Sequence, residues 1–113
     1  MKKFINICDW DIYFYHAEDC AEGLQRCKSM HIPARILAQA EENIKLKNAG
    51  STLTNVSQKR ICVLIAEQTS KAELLNTLSH EIRHIVDIIT DGNSECSPAN
   101  ITGEITSYFA DWV

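Results

Sequence analysis

Apolar and polar positions change period along this chain, and each change marks an element. The run from Phe4 to Tyr15 is rich in Phe, Ile, Tyr and Trp and reads as one or two short strands, the clearer being Trp10 to Tyr15. From Ala17 the period lengthens. Cys20, Leu24, Cys27 and His31 fall at i, i+4, i+7 and i+11, one face of a helix. Pro33 closes that helix and suits the first turn of the next. The second helix covers 33–48, with Ile36, Leu37, Ala40 and Ile44 on one side and Asn48-Ala49-Gly50 as its stop.

Strand formers return at Thr52, Leu53, Thr54 and Val56, and again from Ile61 to Ile65. Gln58-Lys59-Arg60 between them predicts the turn of a hairpin. The second run is continuously apolar, as in a strand covered on both faces. Ser70-Lys71-Ala72-Glu73 is a capping box, with Ser70 as N-cap and Glu73 reaching back to it. The helix it opens runs 71–90, and Asp91-Gly92 ends it. Ser97-Pro98 then starts a last helix over 98–112. The sum is an α+β fold in one domain, 1–113, with a short mixed or antiparallel sheet packed on helices.

Composition narrows the class. With 45% apolar and 23% charged residues the chain reads as a soluble globular protein. No apolar run is long enough for a membrane span. The N-terminus begins like a signal peptide, but Asn6, Asp9 and Asp11 interrupt its apolar stretch. Five cysteines without such a leader predict free thiols in a reducing, cytoplasmic setting. A net charge of −4, with no basic grouping beyond Lys45/Lys47 and Lys59-Arg60, excludes a nucleic-acid footprint. Cys20, Cys27 and His31 share a helix face and read as core fill rather than a metal site. Cys62 reads as an inert buried thiol and Cys96 as exposed in a loop.

The candidate chemistry lies on the helix 71–90, as His80-Glu81-Ile82-Arg83-His84, an H-E-x-x-H. Wound at about 100° per residue, Leu74, Leu75, Leu78, Ile82, Ile85, Val86, Ile88 and Ile89 form a broad apolar arc. His80 and His84 lie together at its edge, with Glu81 between them and the arc. Imidazoles at i and i+4 point from consecutive turns toward one metal ion, and the adjacent Glu is placed to take a proton from metal-bound water. Such a site needs a third ligand. Asp87 lies too far along the same helix, and Asp91 and Glu95 flank a loop that would fix them poorly. Asp111 is a further acid. Glu104 is the best candidate: it sits on the last helix beside Gly103, which would let two helices approach closely. Ile101, Ile105, Tyr108, Phe109 and Trp112 form that helix's core face, with Glu104 at the edge.

His80-Glu81-x-x-His84, followed after 19 intervening residues by Glu104, resembles the gluzincin pattern of thermolysin-like zinc peptidases. The short length is most similar to the minigluzincins and to small phage- or mobile-element-encoded proteins of the same layout. The likeness covers 61–113 and is architectural over 1–60. It implies a small zincin-like domain, with an active-site helix followed by a glutamate helix. It implies Zn2+ held by His80, His84 and Glu104, Glu81 as general base, and a peptide or protein substrate. It also implies a peptide bound as an added strand on a sheet edge, for which Ile61–Ala66 is the candidate. Two departures matter. Tyr108 stands where these enzymes often have an Asp behind a ligand histidine. It either takes over that hydrogen bond or faces the substrate oxyanion. The larger enzymes also bring an electrophile from a further subdomain, so the resemblance implies a weak or latent peptidase. The alternative is a non-catalytic, zinc-stabilised binding or regulatory module.

Overall fold

A computed structural model of the chain describes residues 1–47, 50–91 and 96–112, apart from the Trp112 side chain. The sequence resolves into a small α+β domain with a four-stranded mixed sheet and four α-helices. Strands β1 (Lys2–Ile7) and β2 (Trp10–His16) form an antiparallel hairpin. Its two-residue turn, Cys8-Asp9, takes positive φ at both positions, the geometry that matches strand twist in tight hairpins. A 3-10 turn at Ala17–Asp19 leads into α1 (Cys20–Ser29), and α2 (Ala34–Lys45) follows. Strands β3 (Gly50–Asn55) and β4 (Arg60–Ile65) are the expected hairpin. Helices α3 (Lys71–Thr90) and α4 (Pro98–Ser107) complete the fold, with a 3-10 turn at Ala110–Trp112.

The sheet order is β1-β2-β4-β3, and β2 pairs with β4 in parallel. Strand β4 is therefore internal, which is why its apolar run is unbroken: Ile61 to Ile65 are all buried. This corrects the idea that Ile61–Ala66 is an edge. The edges are β1 and β3. Side chains alternate across the sheet with period two. Ile12, Phe14, Ile61, Val63 and Ile65 face α3 and α4. Tyr15, Cys62 and Leu64 face α1 and α2. Helices thus cover both faces, and each layer has its own apolar core.

Local chemistry sets the helix ends. Ser70 accepts the Glu73 N–H at 3.1 Å, as an N-cap should. Glu73 reaches one residue further back than expected, accepting from the Thr69 hydroxyl at 2.6 Å. Met30 ends α1 and His31 follows in a left-handed conformation, so His31 leaves the helix face and is exposed. Helix α4 stops at Ser107 rather than continuing to 112, and Tyr108 is exposed rather than in the core. Ile101, Ile105 and Phe109 are buried as expected. The expected stop at Asn48-Ala49 and the Gly92 terminator lie outside the described residues, as do Glu95 and the Trp112 side chain.

Close approach explains one glycine. A Cβ at Gly23 would collide with the Leu64 and Tyr15 side chains, so α1 seats on the sheet only because residue 23 has none. Gly103 is different from its expectation. Among the described residues nothing lies within 4 Å of the place its Cβ would take, so no described helix packs against it there.

The thiol expectation also changes. Cys8, in the β1–β2 turn, and Cys96, ahead of α4, are disulfide-bonded across a separation of 88 residues. Cys20, Cys27 and Cys62 are free and buried. Among the described residues no helix is long and apolar enough to cross a membrane.

Candidate metal centre

Helix α3 lies under the β3–β4 side of the sheet, with its apolar arc against β4 and one flank at the β3 edge. His80 and His84 stand on that flank. Their Nε2 atoms are 3.0 Å apart, and the rings meet edge to face at 88°, with centroids 4.5 Å apart. Both are exposed. Glu81, the residue between histidines and core, is only 2% exposed. A buried carboxylate needs a partner, and Thr52 on β3 supplies it by donating its hydroxyl hydrogen to Glu81 Oε2. Thr52 faces α3 because it pairs with Val63, whose side chain is on that face.

Gly50 lets the strand come this close. A Cβ there would stand 3.1 Å from Glu81 Oε1 and 3.2 Å from the Leu64 carbonyl oxygen, tighter than ordinary contact. Gly50, Thr52, His80, Glu81, His84 and Ile88 line one small cleft of about 240 Å³. In sequence Thr52 is a strand former and Gly50 part of a helix stop, and neither is a candidate for the site. Their signal exists only in three dimensions, as the two residues of the neighbouring strand that point at the buried acid.

The other expected residues lie elsewhere. Glu104 is exposed on α4, and Tyr108, at its end, is 44% exposed. Helix α4 packs on the opposite flank of α3, where Thr102 and Thr106 share a cleft with Ser79 and Arg83. The structure therefore brings His80, His84 and Glu81 together and does not bring Glu104 or Tyr108 to them. Among the described residues no three His, Cys, Asp or Glu side chains are grouped to hold one metal ion. Two imidazoles converge, and the remaining donors are not gathered. Asp87 and Asp91 share a second cleft with His84, next along the helix.

The buried thiols have no part in this centre. Burial pushes Cys20 up to about 11, and its thiol donates to the Ile65 carbonyl at 3.4 Å. Cys62 donates toward the Gly23 carbonyl at 3.7 Å, and its contact with Cys27 and its burial hold its pKa far above the ordinary range. The same contact lowers that of Cys27.

What fold and site define together is a small α+β domain with a paired-histidine helix at a sheet edge. Comparison with protein-family models, curated proteins and solved structures finds no match for this chain.

Proposed function

We propose that this protein is a zinc-dependent hydrolase on a minimal zincin-like scaffold, a metallopeptidase in which His80 and His84 are metal ligands and Glu81 is the general base. One observation carries the reading: two imidazole Nε2 atoms converge to 3.0 Å on the exposed flank of α3, directly beside a buried carboxylate. Nitrogens this close are within reach of a single ion about 2 Å from each. Zinc bound there would supply an acidified water and a Lewis acid for a carbonyl oxygen.

The chain's own residues do the rest. Thr52 occupies Glu81 Oε2, so Oε1 is the oxygen left to take the proton and return it to the leaving amine. The outer edge of β3 pairs with no other described strand and offers its backbone to an extended peptide, which would lie beside the histidine cleft. The substrate class is thus an unstructured peptide or protein segment.

A second reading, a zinc-stabilised binding or regulatory module without turnover, draws support from Glu104 and Tyr108. Both lie exposed on α4, away from the cleft. The two readings separate in a digest of unstructured peptides by zinc-loaded protein. Zinc-dependent cleavage that disappears in Glu81→Gln supports the hydrolase. Zinc bound without any cleavage supports the module.

A further inference from the structure

A cleft lies on the other flank of α3, between it and α4, and the metal centre makes no use of it. The cleft is about 610 Å³, within the span of roughly 300–1,000 Å³ that small-molecule sites occupy. Leu75, Leu78, Ile82, Val86 and Phe109 give it apolar walls. Leu75 is 45% exposed there, although its side chain is fully apolar. From Leu75 to Val86 the helical wall is roughly 16 Å long at 1.5 Å per residue.

The α4 wall looks polar in sequence and is not. The Thr102 hydroxyl donates to the Pro98 carbonyl at 2.8 Å, Thr106 to the Thr102 carbonyl at 2.6 Å, and Ser107 to the Glu104 carbonyl at 2.7 Å. Their hydroxyl hydrogens are spent within the helix, so these three side chains leave the cleft no free hydroxyl donor on that wall. Polar recognition is left to one rim of α3, where Ser79 and Arg83 stand one turn apart. Among the described residues no acid lines the cleft and no carboxylate pairs with Arg83.

We propose that this cleft binds a medium-chain monocarboxylate, with the alkyl chain along the apolar walls and the carboxylate on the Arg83 guanidinium and Ser79 hydroxyl. A planar guanidinium matches a carboxylate with two parallel hydrogen bonds, and a single cation beside an apolar trough selects one anionic head on a hydrocarbon tail. The site is independent of metal, because His80 and His84 project from the opposite flank.

The test is a titration of the full chain with decanoate below its micellar concentration, followed by amide chemical shifts. Saturable one-to-one shifts confined to 75–86 and 102–110 are expected. Arg83→Gln should weaken decanoate about tenfold, the loss of one charge-assisted contact. Ser107→Trp, an exposed position on the cleft wall, should abolish binding by filling it. Decyltrimethylammonium should bind at least tenfold more weakly than decanoate. The double variant His80→Ala/His84→Ala should bind decanoate as the wild type does, which separates this site from the zinc reading. Absence of saturable shifts, shifts elsewhere, equal binding of the cationic amphiphile, or an acidic amphipathic peptide that outcompetes decanoate would overturn the proposal.

Discussion

Thr52 on the edge strand donates its hydroxyl to the Glu81 carboxylate on α3, and that bond ties the sheet edge to the candidate metal helix. Glu81 is almost wholly buried, so the bond offsets a desolvation cost that the carboxylate would otherwise carry alone. Thr52→Val keeps the shape and removes the donor. It is expected to destabilise the fold by about 1–3 kcal/mol, while Thr52→Ser stays close to wild type. Urea unfolding of both variants checks this, and a valine variant as stable as the parent would show that the contact carries no weight.

Packing of α1 gives a second prediction. Gly23→Ala drives a methyl group into Leu64 and Tyr15, both buried in the core under α1. Overpacking of this kind costs typically 1–3 kcal/mol. Thermal unfolding should show a clear drop in Tm for Gly23→Ala. Gly103→Ala, at an open helical position, should hold or slightly raise it.

The cysteines make a third. The Cys8–Cys96 bond closes a loop of 88 residues and should contribute about 2–4 kcal/mol. Cys96→Ser, or reduction, should lower stability by that amount. Cys20, Cys27 and Cys62 are buried, with Cys20 held as a thiol by desolvation and Cys62 by its contact with Cys27 and by desolvation. A thiol reagent should therefore find no fast-reacting group in the oxidised native protein and three after denaturation. Five reactive thiols in denatured, unreduced protein would remove the disulfide from the account.

Glu104 supplies a fourth. With its side chain exposed on α4, and α4 on the far flank of α3, Glu104→Ala should change zinc affinity less than about threefold. Isothermal titration decides it. A loss as large as that of His80→Ala would mean that α4 crosses to the histidine flank when metal binds.

These positions show why some features were legible in the sequence and others were not. The start of α3 follows from Ser70 and Glu73, a contact three residues long, so it reads directly from the chain. The burial of β4 was visible as an unbroken apolar run. Its neighbour β2, about fifty residues earlier in the chain, was not, because a parallel pairing leaves no local mark. The same holds for Cys8 and Cys96. Glu104 illustrates a subtler limit. Helical winding correctly set it beside an apolar arc, but every arc has two edges, and winding does not say which edge meets the partner helix. Likewise α3 has a histidine flank and an Arg83 flank, and α4 packs on the second.

The zinc reading stands on the His80–His84 pair, so metal stoichiometry tests it most directly. Protein freed of metal by chelation should take up one zinc ion per chain at neutral pH, measured by elemental analysis after dialysis against micromolar zinc. His80→Ala and His84→Ala should each take up none while remaining folded. Wild-type protein that emerges metal-free, or histidine variants that load as fully as the parent, would contradict the account.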